Sequence, residues 1–367
     1  MVAIRRAPSR TAADASRSPA HERSGPRSQS SIGSPKLKLA DDTSAGQAFP
    51  VLAPGYATAA LAWLPMTSHA SCGAAFCSVN TDWNVQGVFA EPGGRAELRY
   101  ELLRQGQLRA GSRKVSPDQV GGHHEERFTV NQALFGSFDY NFGDWGLSLV
   151  VPVVKREHEH LHNHHGAELI ESWDLRGLGD VRAAARRQWQ TLADDGTSAQ
   201  TYGLLGGLKL PTGRTDLSND DGDVAERSLQ PGTGTTEAFA GAFYQRAWPQ
   251  QGWSTFVQGV YGSSLNSYHD YRPGTRFALD AGLRYDATPQ WALLLQLNAL
   301  WRGRDSGAEA EPADSGGRYV FLSPGLSWSL GRELQVFAVA QLPLYQYVNG
   351  VQLTAAWGAT AGLGWRF

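Results

Sequence analysis

Sulfur is scarce in this chain: its 367 residues include two cysteines and two methionines. Two thiols make at most one bridge, so neither a disulfide scaffold nor a multi-cysteine zinc ribbon is available. An excess of either charge is missing as well. A formal net charge of -2 gives no bias toward nucleic acid or toward a charged membrane surface. Long apolar runs are also missing. With no stretch of about 18 apolar residues, no transmembrane helix is expected. Barrel strands escape that exclusion, because their apolar residues alternate with polar ones and disappear in a hydropathy average.

Glycine and aromatics are plentiful: 42 Gly, 12 Trp, 12 Tyr and 14 Phe. That mixture suits short aromatic-rich strands joined by glycine turns. The first seventy residues differ from the rest. Residues 1–33 are rich in Ser, Arg, Pro and Ala and have too few apolar groups to build a core,. From Pro35 to Gly73 come two lysines, a broken apolar stretch (Phe49 to Met66) and the small-residue site Ser68-His69-Ala70, the parts of an export signal. Residues 1–70 therefore read as a disordered leader ending in a signal segment. Cleavage after Ala70 leaves a periplasmic or plug segment, 71–94, whose Cys72 and Cys77 are expected to form a local disulfide. Residues 95–367 form the remaining unit.

That unit alternates with a period of two. In Trp357 to Phe367 one face carries Trp357, Ala359, Ala361, Leu363, Trp365 and Phe367, and the other carries Gly358, Thr360, Gly362, Gly364 and Arg366. The same split runs through Trp291–Arg302 and Arg276–Asp286. Charges on the inward face of a dry barrel are prohibitive, but they are acceptable where the inside is wet or internally paired and the outside is lipid. Segments of this kind fall near 95–105, 126–141, 145–156, 178–191, 200–211, 236–247, 252–263, 275–287, 290–302, 318–329, 333–345 and 355–367. The expected fold is all-β, a transmembrane antiparallel up-and-down barrel of about twelve strands, of the outer-membrane type. A soluble sandwich is the competing architecture. Short links (143–144, 192–199, 248–251, 288–289, 330–332) alternate with long ones (106–125, 157–177, 212–235, 264–274, 303–317, 346–354). Short periplasmic turns against longer outer loops is the asymmetry such barrels show.

Three stretches carry a family likeness: Gly177–Trp189 ("GLGDVRAAARRQW"), Gly206–Asp216 ("GGLKLPTGRTD") and Leu229–Gln245 ("LQPGTGTTEAFAGAFYQ"). They resemble the outer-membrane channel or transporter proteins grouped under the name of the MetA pathway of phenol degradation. The likeness runs from about Trp83 to Phe367. It implies a porin-like barrel in the outer membrane that passes small or hydrophobic solutes, and it fixes no substrate. The final Phe367 resembles the signal that such barrels present to the barrel assembly machinery. Read on their own, the motifs look structural: Pro211 and Gly213 end a strand, and Pro231, Gly232 and Gly234 shape a loop.

The inward rows are expected to bring Arg95, Arg99, Arg182, Arg186, Lys209, Arg276, Arg284, Arg302 and Arg366 to the lumen against Glu97, Glu101, Asp139, Asp180, Asp280 and Asp286. A twelve-stranded lumen is narrow. These charges either pair and hold it shut or leave a weak preference for anions.

Histidine is concentrated in one place. "KREHEHLHNHHG", Lys155 to Gly166, falls in the second long link, and "GGHHEE" ends the first. His123, His124, Glu125, His158, His160, His162, His164 and His165 are thus expected at the extracellular rim, as a set that suits Zn, Cu or Ni. Alternation puts His158, His160, His162 and His164 on one face. The competing reading is a solvated loop that titrates near neutral pH. No cofactor is required by anything in the sequence.

The expected function is an outer-membrane channel or transporter of small solutes in a Gram-negative cell, with lipids, the assembly machinery and a solute or metal ion as partners and no nucleic acid. A non-conducting structural or adhesin barrel and a metal-binding receptor are the alternatives. No enzyme is expected: a lipase-like barrel needs a Ser–His pair, and only Ser264, Ser267 and His269 lie near one another in sequence.

Overall fold

The alternation is realised as strands over nearly the whole length of the unit. The computed structural model describes residues 92–120, 124–164, 167–193 and 196–367. Its strands are β1 (Gly93–Ala110), β2 (Arg113–Lys114), β3 (His124–Phe142), β4 (Trp145–His164), β5 (Ala167–Leu178), β6 (Val181–Leu192), β7 (Ala199–Leu210), β8 (Glu237–Trp248), β9 (Trp253–Ser264), β10 (Arg276–Asp286), β11 (Trp291–Arg302), β12 (Gly317–Leu330), β13 (Leu334–Val348) and β14 (Val351–Arg366). Neighbours pair antiparallel in chain order. β14 returns to β1, from Arg95↔Arg366 to Ala110↔Val351, and closes the cylinder. Since β2 only extends the end of β1, and β5 and β6 share one place in the wall beside β4, the barrel has twelve staves. Leader residues 1–70, Cys72, Cys77 and the 71–91 stretch lie outside the described residues, as do His123 and His165.

Two expected loops are instead strand. The 157–177 link is the top of a β4–β5 hairpin, paired from Val153↔Leu178 to His164↔Ala167. The 346–354 link shrinks to a turn at Asn349–Gly350, where Gly350 has φ 57. Alternation does not stop at the membrane surface, so strands continue into water wherever a partner strand continues beside them. The 106–125 link is also partly strand, since β1 runs on to Ala110 and β3 begins at His124.

The outer surface shows which solvent the barrel faces. On β11, Trp291, Leu293, Leu295, Leu297 and Trp301 are all 40–52% exposed, while Ala292, Leu294, Gln296, Asn298 and Leu300 point inward and are buried. In water each such exposed side chain forgoes roughly 1.5–3 kcal/mol of burial. Surrounded by hydrocarbon, the same row is favourable. Aromatic girdles bound it. Near one end lie Trp253 with Tyr285 at 4.4 Å, Trp291 stacked on Trp328 at 5.3 Å, and Trp365 with Phe367 at 5.1 Å. Near the other end lie Tyr261, Phe277, Trp301 and Trp357. From Trp291 to Trp301, ten rises of tilted strand span about 25 Å, the height of a lipid-facing band.

The inside is not purely polar. Phe239, Phe243, Phe256 and Phe337 all face inward, and each lies over a glycine of the next strand. A Cβ on Gly207, Gly203, Gly282 or Gly362 would fall 2.5, 2.5, 2.0 or 2.6 Å from an atom of the corresponding ring. The missing side chain is what lets the ring lie flat against the wall.

Candidate functional site

Charged side chains meet across the middle of the lumen, and most are paired. Arg95 bonds Glu97, while Arg99 reaches Glu97 at 3.2 Å and Glu101 at 2.9 Å. Arg186 bonds Asn141 and lies 3.9 Å from Asp139. Asp280 accepts from Asn298 at 2.7 Å. Nearer the end that carries Trp253 and Trp291, Arg284 pairs with Asp286 at 2.7 Å, and Arg366 lies opposite Arg95 in the register. Two further acids complete the set and were missed by the sequence reading. Glu237 binds Arg276, and Asp305 binds Arg302 at 2.7 Å. Glu237 shares its row with Phe239 and Phe243 while Tyr244 lies on the opposite row, so aromatic groups of β8 stand on both faces and the rule that they face lipid misassigns that strand. Asp305 lies in a connection with no periodicity.

The three family stretches converge at one point of the wall. Between β5 and β6 the stave is interrupted at Gly179-Asp180. Asp180 then accepts from Lys209 Nζ at 2.8 Å, the Gly213 N–H at 3.1 Å, the Thr233 N–H at 3.0 Å and the Thr233 hydroxyl at 2.9 Å. Gly213 and Gly232 touch back to back, and a Cβ on Gly213 would lie 2.6 Å from Gly232 Cα and 2.9 Å from the Gly179 carbonyl carbon. Glycine is required here because three backbones meet. The motifs "LGD", "KLPTG" and "QPGTG" thus fasten both ends of residues 211–236 to one carboxylate. Within that loop Gln230 ties Leu217 and Ala225, and Asn219 caps the turn through the N–H groups of Asp221 and Asp223.

The interior holds cavities that share walls, and the loop stands between the upper two. The lower lumen holds about 340 Å³, lined by Arg95, Asp139, Arg186, Asp280 and Phe243 among others. Above it lies an upper lumen of about 300 Å³, and Arg99, Arg182, Arg276 and Glu237 belong to both. In the upper lumen the cations Arg99, Arg156, Arg182, Lys209, Arg227, Arg276 and Arg302 outnumber the acids Asp180 and Glu237. Arg227, Ser228 and Tyr271 separate this space from a vestibule of about 920 Å³. The vestibule wall has the opposite sign, with Asp216, Glu226, Asp270, Asp305, Glu309 and Glu311. Burial and the neighbouring Glu311 and Glu126 hold the Glu226 carboxyl well above the usual carboxylate range,.

The histidines occupy β4 above the lipid band. On the outer face of that strand Val151 and Val153 give way to Lys155, Glu157 and Glu159, with Lys155 bridging Glu157 at 2.7 Å and Asp174 at 3.4 Å. On its inner face His158 and His160 are buried. For these two the burial goes against the competing reading of a solvated loop. His158 Nε2 lies 3.3 Å from Glu126 Oε2 and 3.4 Å from His160 Nδ1. The outer nitrogens are engaged as well, His158 Nδ1 with the Thr129 hydroxyl at 3.0 Å and His160 Nε2 with Glu171 Oε2 at 3.0 Å. Trp173 packs against both rings, with centroids at 5.6 and 4.8 Å. Burial, reinforced by His160, lowers the His158 pKa to about 3, so its imidazole is neutral at physiological pH. His124, His162 and His164 lie on β3 and β4 in the same extension.

The carboxylate in this group is Glu126, whereas the sequence points to Glu125. A bulge explains the difference: Glu126 pairs with His160 and Phe128 with Glu159, leaving Arg127 as an extra residue that inverts the facing of everything beyond it,. Of the Ser–His neighbours, Ser264 is buried beside Thr235 at 3.4 Å. His269 instead forms the tip of a tight turn with Asp270, at φ 46 and 51.

This geometry agrees with what the chain resembles. The COG4313 outer membrane channel from Pseudomonas putida F1 superposes with a TM-score of 0.57 at 14% identity, over 79% of this chain and 100% of that one. Looser matches are the translocator domain of the autotransporter NalP from Neisseria meningitidis (TM-score 0.37, 11% identity, 77% and 91% covered) and the P. putida toluene transporter TodX (0.35, 9%, 76% and 91%). Agreement at those values is that of one barrel with another. A search of the curated proteins finds no match. The family model described as "Putative MetA-pathway of phenol degradation" matches residues 117–358. That span holds the Asp180 knot, the histidine extension and all of the upper-lumen lining except Arg99, and the chain, a transporter-like barrel of the outer-membrane type, belongs to that family.

Proposed function

We propose that this protein is a channel in the outer membrane of a Gram-negative cell, passing small solutes from the vestibule through the upper lumen to the lower one. The observation that carries the reading is the chain of cavities with shared walls, vestibule to upper lumen at Arg227 and Tyr271, and upper to lower lumen at Arg182, Arg276 and Glu237. The size of the solute follows from the compartments. A dry cavity of about 150 Å³ takes up benzene, so spaces of about 300 and 340 Å³ accommodate molecules of one or two rings. Its chemistry follows from the walls. Arginines stand beside Phe135, Phe239, Phe243 and Leu300, a lining for small neutral or anionic solutes with an apolar body. The family's description and the outer membrane channel on which the chain superposes point the same way. No catalytic step enters this reading, and the histidine-bearing mouth belongs to cation binding rather than to passage.

Single-channel recording of the refolded barrel in planar bilayers tests it, together with swelling of liposomes in benzoate, phenol and a disaccharide. Steady conductance with benzoate and phenol entering faster than the disaccharide is expected. A barrel that folds, conducts nothing and admits no solute overturns the reading and leaves a structural or adhesin barrel, or a receptor.

A further inference from the structure

We propose that Glu126, His158 and His160 form a specific site for one divalent transition-metal ion, Zn²⁺ in the first place, inside the β3–β4–β5 extension. The three donor groups lie within 4.8 Å of one another. Two of the separations, 3.3 and 3.4 Å, match the edge of a tetrahedron with metal–ligand bonds of about 2.0–2.1 Å, which is about 3.3–3.4 Å. One carboxylate and two imidazoles is a donor set that Zn²⁺ takes in open sites, and Cu²⁺ and Ni²⁺ compete for it.

The outer contacts are those a metal site needs. Binding at His158 Nε2 requires the proton on Nδ1, where the Thr129 hydroxyl at 3.0 Å accepts it. Binding at His160 Nδ1 requires the proton on Nε2, where Glu171 Oε2 at 3.0 Å accepts it. The Glu171 carboxylate, which can only accept, holds His160 in the metal-accepting tautomer and raises its basicity, and the Thr129 hydroxyl is placed to accept from His158 when a metal takes its Nε2,. Trp173 forms an apolar wall beside them. Glu226 of the acidic vestibule interacts electrostatically with Glu126. The ligands come from β3 and β4, and the supporting Glu171 and Trp173 from β5. An ion therefore ties three strands together where no lipid supports them. The site stands apart from conduction, and its failure would leave the channel reading intact.

Titration of the purified full chain in detergent micelles with Zn²⁺, in competition with a chromophoric chelator, tests the proposal. Co²⁺ replacement then gives the coordination from its visible d–d spectrum. One tight equivalent per chain is expected, with an intense tetrahedral Co²⁺ band and quenching of Trp173 fluorescence by Cu²⁺. His160→Ala and Glu126→Gln should weaken Zn²⁺ binding at least 100-fold, and Glu171→Gln about 10–100-fold. Simultaneous replacement of His123, His124, His162, His164 and His165 by Asn should leave the tight equivalent in place. Folding of each variant is checked by the heat-dependent gel mobility of the barrel. Absence of tight Zn²⁺ binding in the folded wild type overturns the site, and so does binding that survives His160→Ala but disappears in the five-residue variant.

Discussion

Strand β4 passes through two environments, and its two halves follow one pattern with opposite chemistry. From Trp145 to Val153 its outward residues are apolar and its inward neighbours line a lumen of paired charges. From Lys155 to His160 the outward residues are charged, while on the inside Arg156 bonds the Ser228 and Gln230 carbonyls and His158 and His160 pack around Trp173. The period of two fixes which residues share a face, but the surrounding solvent decides what each face must carry. In the membrane a charge has to face the lumen and find a partner, whereas above it charges face water and the interior becomes the drier side.

The largest test of that contrast is at the Asp180 knot. Lys209 and Asp180 are almost fully buried, and removing one partner of such a pair leaves an uncompensated charge costing about 3–5 kcal/mol. Asp180→Ala should therefore lower stability in urea titrations of the micellar protein and expose residues 211–236 to protease. Lys155→Ala, which breaks the exposed pairs of the extension, should leave the urea midpoint nearly unchanged. Equal effects would break the comparison. Next is the lipid face, where Leu295→Arg near mid-height should cost about 2–4 kcal/mol, while Glu159→Leu on the outer face of the extension should stay within about 1 kcal/mol. Folding yield in liposomes reads both.

A smaller effect is expected at Gly203. An alanine there meets the Phe243 ring at 2.5 Å, and the overpacking should cost about 1–3 kcal/mol and reduce conductance as the ring swings into the lower lumen. Unchanged conductance would show that the rings do not set the bore. The smallest effect is confined to the vestibule. The Glu226 pKa is raised by burial and by Glu311 and Glu126, with the Ser228 hydroxyl opposing them. The folded loop therefore holds this proton more tightly than the unfolded chain. The resulting stabilisation is complete below about pH 4.5 and is lost as pH rises through the raised value. Hydrogen exchange at residues 217–230 should accelerate with pH beyond its intrinsic rate. Glu226→Gln should remove the excess, and a wild type without it would contradict the sign.

The sequence made the barrel legible because lipid imposes alternation on every stave, and rows such as Trp291 to Trp301 admit one reading. It also brought out the lumen charges on β1, β6 and β10, where the large apolar groups beside those charges face outward, Leu103 and Leu108 of β1 excepted. Legibility failed wherever a side chain answers to something other than its own strand. On β8 the inward Phe239 and Phe243 are allowed by glycines on β7, so Glu237 was hidden. At Arg127 a single extra residue turns Glu126 inward in place of Glu125, and no pattern within β3 announces it. The role of "LGD", "KLPTG" and "QPGTG" was invisible for the same reason, since Asp180 gains its meaning from residues 33 and 53 positions away.

The rings resting on glycines mean that the width of this passage is recorded in residues that have no side chain. Phe256 projects little into the lumen because Gly282 leaves it a recess, so one methyl group placed in the wall displaces a whole phenyl ring into the path. A lineage that needs a tighter or looser conduit can reach it by exchanging Gly and Ala on neighbouring staves, leaving the arginines, the lipid face and the Asp180 knot unchanged.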